Sequence, residues 1–148
     1  MIEKLDHTTP EIAELIYKVF QVSYAVEAKL LKAKDFPPLK RQVNDFLSAE
    51  TAFYGYWKNQ ELVAVTEIRS FSNSIHIQSM VVVPHYFRQG IAKELISYIF
   101  EIYKTDMFTV ETGAANLPAI KLYEKHGFTL VKEWETAFGI RKVRFEKN

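Results

Sequence analysis

Two stretches of the sequence combine residue types and spacings that could do chemistry. The first is Pro84-His85-Tyr86-Phe87-Arg88-Gln89-Gly90-Ile91-Ala92, set between a β-prone run and a helical one. A strand that feeds a helix through a turn with a glycine and a small residue lets backbone N–H groups approach an anion, and the helix dipole favours negative charge there. That suits a pyrophosphate. No Gly-Lys-Ser/Thr follows and the three glycines of a dinucleotide fingerprint are missing, so neither of those nucleotide loops is present. An ordinary β-to-α turn, in which Gly90 permits tight packing, is the alternative. The second stretch is Asn116-Leu117-Pro118-Ala119-Ile120-Lys121-Leu122-Tyr123-Glu124-Lys125-His126-Gly127-Phe128. Here Asn116 reads as a helix cap, Ala119 and Leu122 as packing residues and Gly127 as a left-handed stop. Tyr123 reads either as a packed ring with its hydroxyl at the edge or as a proton donor.

Other chemistry is excluded by residue type. With no cysteine there is no disulfide framework, no thiolate zinc site and no cysteine nucleophile. The four histidines, at 7, 76, 85 and 126, lack metal-ligand spacing, and no metal is expected. His126 beside Gly127 reads as a cation at a helix C-terminus.

The elements that must position these segments follow from periodicity and punctuation. Thr9-Pro10-Glu11 has the form of a helix N-terminus, with a hydroxyl cap, Pro at the first helical position and an acid near the positive end of the dipole. Ile12, Leu15, Ile16, Val19 and Phe20 form its buried face. Tyr24 to Leu39 begins as helix-forming sequence and runs into Pro37 and Pro38, which predicts a loop. Leu39 to Leu47 resumes a weaker helical pattern. Thr51–Trp57 and Glu61–Arg69 predict a hairpin across Lys58-Asn59-Gln60. Ile75–Val83 predicts a central strand, Gly90–Tyr103 an amphipathic helix and Met107–Glu111 the next strand. A helix capped by Asn116 comes next. Phe128–Trp134 and Lys142–Glu146 predict a closing antiparallel pair around a loop with Gly139. The order makes a mixed α/β layer fold.

Composition bounds the reading. The chain has 148 residues, 48% hydrophobic and 25% charged, with 19 basic and 18 acidic side chains for a net charge of +1. A single domain spanning 1–148 of this size buries roughly 70% of the surface its unfolded chain exposes, so it folds without staples. Without clustered Lys and Arg no nucleic-acid surface is expected. The longest apolar stretch, Met80 to Pro84, is far short of the roughly 20 residues that cross a bilayer, and the N-terminal residues do not read as a signal peptide. No membrane partner and a cytoplasmic location are expected.

Together and in this order, the two stretches resemble the GNAT superfamily of acetyl-coenzyme A-dependent N-acetyltransferases. The first is similar to its cofactor motif, a strand ending V-x-P followed by Q/R-x-x-G-x-G/A, with Gly90 and Ala92 in the last two places. The second matches N-x-x-A-x-x-L-Y-x-x-x-G-F throughout. One departure is Phe87, which stands where the motif has Gln or Arg.

The resemblance implies a GNAT-like mixed, mostly antiparallel sheet flanked by helices. It implies that acetyl-coenzyme A is the cosubstrate and that Met80, Val81, Val82 and Val83 pair through their main chain with the pantetheine arm. Arg88, Gln89, Gly90, Ile91, Ala92 and Lys93 would surround the pyrophosphate, with Asn116 and Tyr123 also on the cofactor side. Lys93 and Lys121 read either as further cations for phosphate or as part of a solvated helix face. Tyr123 would be the general acid to the leaving thiolate. Glu111, five residues ahead of Asn116, stands where some similar enzymes have a base, or else it hydrogen-bonds neighbouring backbone; Glu67 with a water chain is the reserve. Tyr24, Glu27 and Phe36 lie in the variable acceptor region, where Glu27 could attract an ammonium, or they pack the helix and loop.

With no Cys for an acetyl-enzyme, the reading is direct transfer to an amine-bearing acceptor in a ternary complex, a small molecule being favoured over a basic protein tail. A non-catalytic coenzyme A-binding sensor or interaction module of the same fold is the alternative, and a homodimer through the terminal strands or a sheet edge is left open.

Overall fold

The computed structural model describes all residues from Met1 to Asn148. Seven strands form one sheet: β1 (Ile2–Leu5), β2 (Ala52–Lys58), β3 (Glu61–Ser70), β4 (Ser74–Val82), β5 (Met107–Gly113), β6 (Thr129–Glu135) and β7 (Arg141–Lys147), in spatial order β1-β2-β3-β4-β5-β7-β6. Every pairing is antiparallel except β4 with β5. The helices are α1 (Pro10–Leu30), α2 (Val43–Leu47), α3 (Ile91–Ile102) and α4 (Leu117–Lys125). α1 and α2 cover one face, where Ile16, Phe20 and Phe46 pack on Phe53, Val65 and Val81. α3 and α4 cover the other, where Ile96, Ile99 and Tyr123 pack on Ile77, Val110 and Phe145. No helix is long and apolar enough to cross a membrane.

The mixed, mostly antiparallel sheet with helices on both faces agrees with the fold read from sequence. Three local details differ. β1 was not predicted; its four residues, two of them exposed, are too few to show alternation, and they are held by register with β2 from Ile2 opposite Tyr56 to Leu5 opposite Phe53. α1 runs unbroken to Leu30, because the first helix breakers are Pro37 and Pro38, which form a short 3-10 turn at Pro37–Lys40 instead. Thr9 occupies the cap position of α1, yet its hydroxyl donates to the Asp6 carbonyl at 3.0 Å. The β2–β3 hairpin turns on Asn59 and Gln60, both at positive φ, the backbone that a two-residue turn needs to match strand twist.

One departure from regularity matters for the site. β4 carries an irregularity between its pairing of Ser79 with Glu67 and of Ile77 with Ile68, so Gln78 bulges. Beyond that bulge β4 no longer pairs with β5: their register runs from Ser74 opposite Met107 to Ile77 opposite Val110 and stops. The centre of the sheet is therefore parted.

Candidate active site

The parted strands form two lips. On the β4 lip the Val83 N–H donates to the Val63 carbonyl at 2.8 Å, which fixes the parity of the ladder. Val81 and Val83 turn their main-chain groups toward β3, and Met80 and Val82 turn theirs into the gap. The Val82 carbonyl accepts from the Ser23 hydroxyl at 2.7 Å. On the β5 lip Thr112 and the following Asn116 face Glu27, which accepts from Asn116 Nδ2 at 3.0 Å and Thr112 Oγ1 at 3.4 Å. Ser23 and Glu27 stand one helical turn apart on α1, so one face of that helix holds both lips. Asn116 serves twice, because its Oδ1 also accepts from the Ala119 N–H at 3.3 Å and caps α4.

Two cavities open along the gap. The inner, of about 50 Å³, is bordered by Tyr24, Glu27, Met80, Thr112, Asn116 and Tyr123. The outer, of about 530 Å³, lies between α1, the Pro37–Lys40 turn and the β6–β7 loop, with Phe20, Tyr24, Phe36 and Phe138 among its walls. Tyr123 comes from α4, its ring packed on Phe128 at 5.7 Å and Phe145 at 6.2 Å between centroids. Its hydroxyl has no hydrogen-bond partner in the chain, and it is not among the fully enclosed polar atoms without one, so it opens to the inner cavity. Burial, then the nearby Glu27 carboxylate, pushes this phenol above its ordinary value. Burial also raises Glu27, against the opposing pull of its Asn116 and Thr112 bonds.

The other carboxylates are differently placed. Glu111 lies opposite Arg144 in the β5–β7 register and binds its guanidinium at 3.0 Å, with Lys142 at 3.6 Å. Glu67 is fully buried; Arg41 grips it at 2.7 and 3.2 Å, and the hydroxyls of Thr51 and Ser79 donate at 2.6 and 3.1 Å. Arg41, Ser23, Thr112 and Lys142 were not singled out in the sequence, nor was the β6–β7 loop as a cavity wall. Their partners lie on distant segments, so no short motif marks them; the Glu111–Arg144 pair likewise becomes visible only once the register is known, as opposite charges on adjacent strands.

At the far end of β4, the turn to α3 presents a row of donors. The N–H groups of Arg88, Gln89 and Gly90 make no hydrogen bond within the chain. Those of Ile91, Ala92 and Lys93 lie in the first turn of α3, before the first intrahelical bond from Glu94 to the Gly90 carbonyl. Arg88 (φ 63°) and Gly90 (φ 77°) take left-handed backbone, which turns successive N–H groups to one side as an anion cradle does. Phe87 is exposed beside this row. The Gln89 side chain accepts from Lys58 Nζ at 2.8 Å. No group of His, Cys, Asp or Glu is arranged to hold a metal ion. His126 Nδ1 bonds the Leu122 carbonyl at 2.9 Å, at the C-terminus of α4.

Residues 11–128 match the sequence model of the acetyltransferase (GNAT) family. The chain is 30% identical over 141 residues to the UPF0157 protein YqkA of Bacillus subtilis (strain 168), a match covering 95% of this chain and 41% of that protein. It thus spans less than half the length of that relative. It is 30% identical over 122 residues to a streptothricin acetyltransferase from Escherichia coli, covering 78% of this chain and 70% of that one. In architecture it is similar to the ribosomal-protein-S18-alanine N-acetyltransferase of Escherichia coli, with a TM-score of 0.78 at 20% identity over 99% of this chain and 92% of that one. It is similar also to the PaiA N-acetyltransferase of Thermoplasma acidophilum, solved in complex with coenzyme A, with a TM-score of 0.74 at 18% identity over 100% and 98% of the two chains. The chain belongs to the acetyltransferase (GNAT) family.

Proposed function

We propose that this GNAT domain moves an acetyl group from acetyl-coenzyme A to a primary amine by direct attack within a ternary complex. When bound, acetyl-coenzyme A supplies an acyl group on a thiolate leaving group. The residues present fit such a molecule: the donor row from Arg88 to Lys93 suits a pyrophosphate, and the gap beside Met80 and Val82 offers main-chain partners to a slender extended arm. A main-chain N–H on this lip polarises the carbonyl under attack. Tyr123 donates its phenolic proton to the departing sulfur. Glu27 takes the proton that the attacking ammonium must lose, because burial makes it more basic than an ordinary carboxylate. Glu111 is assigned no proton-transfer role, since Arg144 and Lys142 hold its negative charge.

The observation that carries this reading is that Tyr123, its hydroxyl unbonded within the chain, and Glu27 line one cavity where the sheet parts at its centre. The test is thiol release from acetyl-coenzyme A against a panel of amines, with Tyr123→Phe beside the wild type. Turnover on an amine that falls in the variant supports the reading. Tight coenzyme A binding without turnover on any amine overturns it in favour of a non-catalytic binding module.

A further inference from the structure

We infer that the acceptor is a primary monoamine on an aromatic or branched aliphatic skeleton, its single ammonium received by Glu27 and its body by the aromatic walls of the outer cavity. This rests on the transfer reading above. A volume of about 530 Å³ is that of a small-molecule site. Its walls include rings from three separate parts of the chain: Phe20 and Tyr24 of α1, Phe36 before the 3-10 turn, and Phe138 of the β6–β7 loop. Tyr24 meets Phe36 edge-on at 5.8 Å and Phe20 at 5.6 Å, so these three rings form one continuous stretch of wall.

The charges around this cavity select the number of charges on its occupant. Arg41 is held by both carboxylate oxygens of Glu67, and its guanidinium lies 4.3 Å from the Phe46 ring centroid. Glu111 carries Arg144 and Lys142. Glu27 is the one cavity carboxylate with no ion pair; its partners, Asn116 and Thr112, are neutral. One ammonium therefore finds one uncompensated acid. A second ammonium on the acceptor would find no further unpaired carboxylate, since Glu111 is already held by Arg144 and Lys142, and a carboxylate on it would find no unpaired cation, since Arg41 is held by Glu67 and Lys142 by Glu111; either extra charge would be desolvated without a partner. Polyamines, basic peptide tails and free amino acids are thereby disfavoured.

The probes are 2-phenylethylamine, spermidine and phenylalanine, which vary the charge while two of them keep the ring. Binding to the protein loaded with coenzyme A is measured by calorimetry, and kcat/KM by thiol release from acetyl-coenzyme A. The expected result is a preference for 2-phenylethylamine of about tenfold or more in both measurements. Glu27→Gln should lose most of that affinity. Phe138→Ala, at an exposed position where folding is not at stake, should weaken 2-phenylethylamine several-fold. Spermidine or phenylalanine binding as tightly as 2-phenylethylamine overturns the inference. The expected binding order without turnover on any amine overturns the transfer reading, whereas turnover with a different order overturns the monoamine inference alone.

Discussion

Replacing Tyr123 by phenylalanine removes one oxygen and leaves the packing of the ring in place. That hydroxyl makes no hydrogen bond in the chain, so its loss strands no partner, and the contacts of the ring with Phe128 and Phe145 survive. The change in folding stability should stay within about 0.5 kcal/mol, whereas Tyr123→Ala would open a cavity in a core position and cost about 3–5 kcal/mol. A positioned acid contributes about 10²- to 10⁴-fold to rate, so kcat of the phenylalanine variant should fall by that factor, about 3–5 kcal/mol in activation free energy. The phenol is held above its ordinary value by burial and by Glu27, so the wild-type rate should keep its acid form well into the alkaline range. The assay is thiol release at saturating amine, with urea unfolding and calorimetric coenzyme A binding on the same samples. An unchanged kcat refutes the acid role. A fall in kcat matched by an equal loss of stability refutes the premise that the hydroxyl is unbonded.

Glu27→Gln tests the base and its environment together. Burial raises the folded-state pKa of this carboxyl, so between its ordinary value and that raised value the folded chain holds a proton the unfolded chain has released, and wild-type stability falls as pH rises through that window. The variant has no such fall, so its melting temperature relative to wild type should climb across the window and be level on either side, while its rate loses the corresponding acid limb. Arg41→Ala leaves the buried Glu67 with only Thr51 and Ser79 as partners and should cost about 3–5 kcal/mol in urea unfolding, part of it recovered by adding Glu67→Gln. At Gly90 an added Cβ meets no atom within 4 Å, so the cost of Gly90→Ala lies in its φ of 77°, about 1–2 kcal/mol by thermal melting, together with weaker coenzyme A binding as the donor row shifts.

Most of the fold was legible because its signals are local. The cap at Asn116, the stop at Gly127, the hairpin at Asn59-Gln60 and the four-residue stripe of α3 each announce themselves within a turn or two of chain. The donor row at Gly90 was legible for the same reason. What the sequence withheld is contact between distant segments. Glu27 meets Asn116 across 89 residues and Arg41 meets Glu67 across 26, and nothing in the neighbourhood of either residue reports the partner. Glu111 illustrates the difference: resemblance to similar enzymes made it a candidate base, while the two cations that hold it come from β7 through a register no short motif encodes. β1 was missed because four residues cannot display a period.

The parted sheet also has a mechanical meaning. Strands β1 to β4 form one plate and β5, β7 and β6 another, joined along the four paired positions from Ser74 to Ile77, which act as a hinge line. α1 spans the two plates like a brace, with Ser23 bolted to one and Glu27 to the other. Twisting of the plates about that line must strain these two bonds first. The width of the slot is therefore governed from α1, and amide hydrogens of Met80 and Val82 should exchange with solvent faster than those of Val81 and Val83, their immediate neighbours on the same strand.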